Sequence, residues 1–338
     1  MSALAVLWFA LVAVLICGYF VLDGFDLGIG VLYPALARSE RDRAVLRRAV
    51  GPVWDGNEVW LLTAGGALFA AFPAAYATSF SGFYLAVMLV LFGLIMRATS
   101  LEFRGHDPEW KGVWDVLFFV GSLLPALLLG VAIGNVVQGI PLNESGDYTG
   151  TFFGLLRPFP LLCGVLGLVH MMVQGASWAA LKSGSDSEMR TRAQKMRSTL
   201  VIVELVVFVL ASVLFFAVVV PNSAVGLAPT LLGWVFALAY LAVTVLSQVA
   251  KGDLGRFVLA SAGCAALVGV VASTLFPYLI PATDAAMSIT VGGAASSDLT
   301  LTVMTVIACI GVPIVLVYHV LAYRIFRGRL EDEGELTY

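Results

Sequence analysis

Apolar runs of about twenty residues recur along the whole chain between short polar stretches, and a helix rising about 1.5 Å per residue needs that length to cross about 30 Å of hydrocarbon. The pattern predicts nine transmembrane helices: Leu4–Tyr33, Gly51–Phe72, Tyr76–Ile95, Gly112–Gln138, Phe153–Leu181, Thr199–Val220, Thr230–Val249, Phe257–Ile280 and Leu299–Ile325. The second is the least apolar. The first run has no basic leader and no small-residue cleavage site, and it outlasts a signal peptide, so it is expected to be a retained span. The connecting stretches are too short for a soluble domain, and the chain reads as a single transmembrane domain, 1–338.

Composition agrees: 60% of the 338 residues are hydrophobic, 12% are charged, and the mean hydropathy is +0.96. A net charge of −3 says little by itself; its placement says more. Basic residues follow the first span (Arg38, Arg41, Arg43, Arg47, Arg48), surround the third connection (Arg97, Arg104, Lys111) and follow the fifth span (Lys182, Arg190, Arg192, Lys195, Arg197). They recur at Lys251 and Arg256 and at Arg324, Arg327 and Arg329, so that Arg157 alone falls on the opposite side. A missed helix would scramble this segregation. By the positive-inside rule the N-terminus is outside and the C-terminus cytoplasmic. Cys17, Cys163, Cys264 and Cys309 lie in apolar runs without metal-binding spacing and read as small buried hydrophobes.

An acid inside hydrocarbon needs a partner, a wet cavity or a neutralising proton, which makes intramembrane carboxylates the candidate chemistry. Asp23 and Asp26 lie about seven to eleven residues, roughly 10–16 Å, inside the predicted end of the first span. Asp55 and Glu58, at i and i+3, share a face at the start of the second span. Arg97 and Glu102 close the third at the same level. One reading makes these groups structural: Asp23 and Asp26 cap breaks near Gly24 and Gly28, Asp55 caps its helix, and Arg97 pairs with Glu102. The other joins them in a proton path linked by water. Gly65, Gly66 and Ala67 suit close helix approach. His106, His170 and His319 are lone histidines and weak candidates for haem ligation. Phosphate loops, nucleophile elbows and paired-cysteine metal motifs do not occur.

DGFDLGIG (23–30), GPVWDGNEVWLLTAGGALFAAFP (51–73), FSGFY (80–84), the segment 97–104 and GVAIGNVVQGIP (130–141) together resemble subunit II of cytochrome bd quinol oxidases. The resemblance runs the length of the chain. It implies an all-α polytopic fold of nine transmembrane helices, two four-helix bundles plus one peripheral helix. The expected division is 1–140 for the first bundle, 150–281 for the second, 298–326 for the last helix and 327–338 for a cytoplasmic tail.

The same resemblance implies a haem-free subunit in a bacterial cytoplasmic membrane. Haems b558, b595 and d are expected in the partner subunit I, with which this chain would form a pseudo-symmetric heterodimer. Ubiquinol or menaquinol, lipids and small accessory subunits are the other implied partners, a bound quinone is a further candidate cofactor, and nucleic acid is not expected. Positions matching Asp26 and Asp55 are implied in proton delivery, with Arg97 and Glu102 lining the mouth of the path and Trp60 beside an oxygen route. Glu58 departs from members that carry Gln there. Residue chemistry alone also allows a proton-coupled secondary transporter, which should show inverted repeats, or a purely structural subunit.

Overall fold

The computed structural model describes residues 1–330, and part of the expected tail, 331–338, lies outside the described residues. The first span is helical from end to end as α1 (Ala3–Leu22) and α2 (Gly24–Leu36), followed by α3 (Glu40–Val50), α4 (Trp54–Ala71), α5 (Pro73–Gly82), α6 (Tyr84–Phe103) and α7 (Lys111–Gln138). Then come α8 (Pro158–Lys182), α9 (Glu188–Leu214), a π-type turn at Phe215–Val219, α10 (Val220–Asn222), α11 (Leu231–Val249) and α12 (Asp253–Leu275). A small hairpin of β1 (Tyr278–Ile280) and β2 (Ile289–Thr290), the short α13 (Val291–Ala294) and the long α14 (Asp298–Ile325) complete the chain.

Eight of these segments are long and apolar enough to cross a membrane; α4 corresponds to the remaining predicted span but is diluted by Asp55, Asn57 and Glu58, so nine is an approximate count. Three departures from the sequence expectation are the largest. The third span is Tyr84–Phe103 rather than Tyr76–Ile95, because Pro73 at the first turn starts a separate helix that ends at Gly82 with Phe83 as its cap. The sixth begins at Glu188, where Ser187 accepts from the Arg190 N–H and carries the helix out through the basic stretch. The segment after the first span is likewise a helix, α3, with its polar face outward.

α1/α2, α4, α6 and α7 pack together, as do α8, α9, α11 and α12, and the two groups meet along α2–α8 and α7–α8. α14 touches α1 and α4 and leaves most of its surface exposed, which is the peripheral position. Gly28 and Gly175 make the α2–α8 contact possible: a Cβ at Gly28 would overlap the Met171 carbonyl, and one at Gly175 would overlap the Gly28 backbone. Gly65 and Gly66, by contrast, have no atom within 4 Å of where a Cβ would stand, so these two glycines of α4 do not serve close packing within this chain.

The basic segments converge on one face. Arg192 bonds the Leu36 carbonyl and Asp42, Arg47 bonds the carbonyls of Ser100 and Leu101, Arg190 and Arg329 meet at Asp253, and Lys182 bonds the Phe326 carbonyl. Arg157 sits on the opposite face, bonded to Asn135 and the Gly139 carbonyl. Arg104 lies between Asp115 at 2.6 Å and Glu40 at 3.1 Å.

The Glu40 carboxyl is held below its ordinary value of 4.5 by the hydrogen bond from Arg43, with Arg104 adding to the effect. A depressed folded-state pKa stabilises above the unfolded value and loses that contribution as pH falls through the folded one. The difference in thermal unfolding temperature between the wild type and Glu40→Gln is therefore expected to be present at neutral pH and to shrink below about pH 4.5; since Glu40 is exposed, it is expected to be small.

Candidate functional site

Helix α2 puts two carboxylates on the inner wall. Asp23 is the hinge between α1 and α2, yet its N–H donates to the Tyr19 carbonyl and its own carbonyl accepts from Leu27, so the chain remains helical through it. Its carboxylate caps nothing. At 1.5 Å per residue Asp26 and Asp23 lie about 15 Å and about 20 Å from the Leu36 end of α2, deeper than the predicted span end implied.

Arg97 of α6 is fully buried and reaches two acids: Nη1 donates to Asp23 Oδ1 at 2.7 Å and Nη2 to Glu58 Oε2 at 2.8 Å. The fork of a guanidinium allows both at once, which an ammonium does not. Asp26, also buried, accepts from Asn57 Nδ2 at 2.7 Å, and Asn57 Oδ1 in turn accepts from the Tyr323 hydroxyl at 2.9 Å. Four helical segments (α1/α2, α4, α6 and α14) are thus tied by one polar cluster. Among the described residues Asp23 Oδ2, Asp26 Oδ1, Arg97 Nε and the Tyr19 hydroxyl are buried there without a partner at normal hydrogen-bond geometry. Buried polar atoms of that kind are where water is held.

Burial is graded along the cluster. Asp55, in the first turn of α4, is exposed; Glu58, one turn further, keeps 22% of its side chain accessible; Asp23 keeps none. Asp23, Asp26, Glu58 and Arg97 are therefore brought together. Asp55 and Glu102 are not: both are exposed, neither bonds to the cluster, and Arg97 pairs with Asp23 and Glu58 in place of the expected Glu102. Asp55 does not cap α4 either, since the residue at that position is Val53. Trp60 donates from Nε1 to His319 Nε2 at 3.1 Å, while His319 Nδ1 lies 2.9 Å from the Val315 carbonyl, which fixes the ring as the neutral Nδ1–H tautomer. Among the described residues no group of three or more His, Cys, Asp or Glu is placed to hold a metal ion.

Three participants escaped the sequence reading. Asn57 stands inside the WDGN motif but is not ionisable, so no buried charge marks it in the sequence. Tyr323 is 266 positions from Asn57, with nothing local to connect them. Tyr19 reads as one more aromatic of an apolar run.

A model of the family described as cytochrome bd terminal oxidase subunit II matches residues 4–326. The chain is 37% identical to the probable cytochrome oxidase subunit 2 of Haemophilus influenzae, over 96% of this chain and 94% of that one. It is 36% identical to the cytochrome bd-I ubiquinol oxidase subunit 2 of Escherichia coli (98% and 96% covered) and 34% identical to the cytochrome bd ubiquinol oxidase subunit 2 of Bacillus subtilis (100% of each). A chain in the solved bd oxidase of Geobacillus thermodenitrificans superposes with a TM-score of 0.79 at 14% identity, covering 96% of this chain and 99% of that one, a likeness of fold.

Proposed function

This chain belongs to the cytochrome bd terminal oxidase subunit II family, and we propose that, beside the haem-bearing subunit I, it carries protons from the cytoplasmic face toward the oxygen-reducing centre. It is an integral membrane subunit of a quinol-oxidising oxidoreductase, and the secondary-transporter reading is set aside. The basic face is assigned to the cytoplasm by the positive-inside rule, with the N-terminus outside.

The carrying observation is the graded cluster: a partly open Glu58 and a buried Asp23 bonded to the same Arg97, and Asp26, one turn on from Asp23 along α2, bonded to the Asn57 that precedes Glu58 on α4. Three carboxyl groups face one guanidinium, so the balance of charge in the low-dielectric interior must be met by protons or water. Glu58 exchanges protons with the basic face, Arg97 holds Glu58 and Asp23 at one spacing, and the unpartnered oxygens of Asp23 and Asp26 pass protons inward. Asp55 and Glu102 act at the mouth as exposed acids that raise the local proton supply.

Haems b558, b595 and d are assigned to the partner subunit, with membrane quinol oxidised there; when bound, they supply the electron transfer and oxygen chemistry. The histidines of this chain support that division. Both ring nitrogens of His319 are engaged, His106 bonds the Glu102 carbonyl on the surface, and α12 closes over His170 at Gly263.

Asp26→Asn keeps an acceptor for Asn57 and removes the titrating proton. In the assembled oxidase it is expected to lower quinol-driven oxygen consumption by at least about tenfold, with haem spectra unchanged. Asp55→Asn, at an exposed site, is expected to cost less. Unaltered turnover and charge separation in the Asp26 variant would remove the basis for a path through this cluster, and a lost haem spectrum would mean a structural role.

A further inference from the structure

The second group of helices contains a polar centre that the proton path above does not use. His170 of α8 and Glu204 of α9 are buried, with His170 Nδ1 2.7 Å from Glu204 Oε1, and the buried Tyr240 hydroxyl of α11 donates to the same oxygen at 2.7 Å. α12 closes the fourth side with Gly263, where an added Cβ would stand 3.4 Å from His170 Cε1, and Cys264 follows it. With its proton on Nδ1, His170 donates to the oxygen that already accepts from Tyr240, an arrangement that suits a carboxylate. Among the described residues His170 is the only basic side chain in ion-pair contact with it. A buried carboxylate beside a neutral imidazole is an uncompensated charge, and one proton on His170 Nε2 neutralises the pair. That nitrogen is buried and has no hydrogen-bond partner among the described residues.

A second observation bears on the source of such a proton. Gln174, four residues after His170 on α8 and so on the same face, is fully buried, and among the described residues neither its Oε1 nor its Nε2 has a hydrogen-bond partner. Its Oε1 faces Gly24 closely enough that an added Cβ there would stand 2.5 Å away, and Gly24 lies next to Asp23 and two residues before Asp26, whose Oδ2 and Oδ1 are also unpartnered. Unsatisfied buried polar atoms therefore cross the α2–α8 seam from the acid cluster to His170.

We propose that His170, Glu204 and Tyr240 form a buried site that binds one proton, filled through water held at Gln174 from the Asp23–Asp26 cluster. An O–H bond of a cluster carboxyl or its water breaks as the N–H bond at His170 Nε2 forms, the reverse step returns the proton, and no electrons move. The site makes the second helical group a proton store beside the path. Only the source of the proton rests on the function proposed above. Tyr240 and Cys264 are the other ionisable groups packed around the pair.

Infrared spectra of the assembled oxidase, recorded in H2O and D2O, test this. The wild type is expected to show an imidazolium signal that disappears in His170→Asn, and Glu204→Gln is expected to leave neutral imidazole. Gln174→Leu should slow deuterium exchange of that signal about tenfold, and Asp26→Asn should slow it too. Absence of an imidazolium signal from His170, or its survival in Glu204→Gln, overturns the site; unchanged exchange in Gln174→Leu overturns the route. Should those substitutions prevent assembly, Tyr240→Phe keeps the pair and is expected to shift the signal without abolishing it, while an unshifted signal overturns the assignment. Slowed exchange in Asp26→Asn with normal turnover supports the store and refutes delivery through Asp26 to oxygen; lowered turnover with normal exchange does the opposite.

Discussion

Arg97→Met is expected to prevent accumulation of the assembled oxidase. The substitution leaves Asp23 and Glu58, previously bonded at 2.7 and 2.8 Å, without their cation inside the helix group. Removing one partner of a buried pair costs about 3–5 kcal/mol because the remaining charge stays in a poor solvent. That is a large part of the roughly 5–15 kcal/mol by which a folded domain is stable. Arg97→Lys is expected to recover part of the loss, since an ammonium pairs with one acid but does not span both. The double substitution Arg97→Met with Asp23→Asn should recover more than the single one, because deleting both members of a pair removes the stranded charge. Yield of the haem-containing complex and its thermal midpoint are the measurements. An Arg97→Met enzyme with wild-type yield and midpoint would mean that the cluster is already neutral and wet without the guanidinium.

Gly28→Val is the second change with a large expected effect. The new Cβ would overlap the Met171 carbonyl, and backbone cannot turn aside as the end of a side chain can. α2 and α8 must then separate, and overpacking of this kind costs about 1–3 kcal/mol or more. The damage is not local, because the α2–α8 seam also carries Asp26 and Gln174. Gly28→Ala is expected to show a milder version of the same defect. Gly66→Ala is the control: with no atom within 4 Å of its Cβ position, it is expected to be neutral, or slightly stabilising through the better helix propensity of Ala. Assembly yield and the rate of oxygen consumption distinguish the three. Equal behaviour of Gly28→Ala and Gly66→Ala would mean that the seam relaxes freely.

Much of this protein can be read from the order of its residues. Apolar runs locate its membrane-spanning helices because solvation in hydrocarbon is decided residue by residue along a segment. Segregation of Lys and Arg follows from the same one-dimensional pattern, and the structure brings those segments to a single face. Intramembrane acids could be picked out singly because a charge there is costly wherever it points.

Partnership could not be read in this way, since it depends on the rotation of each helix about its axis and on which helices touch. Arg97 chose Asp23, 74 positions away, over the nearby Glu102 because α6 turns its guanidinium inward and leaves Glu102 exposed. Asn57, Tyr323 and Gln174 carry no charge to mark them, and only packing shows that they extend the cluster. The glycine doublet of α4 looked like a contact and faces open space, whereas Gly28 in the DGFDLGIG run makes the contact with Gly175. Which residues enter the membrane was determined by the sequence, since hydrophobicity is a local property. Which acids meet a base, and which glycines meet a helix, only the tertiary structure decided, because close packing between distant segments sets every helix's facing at once.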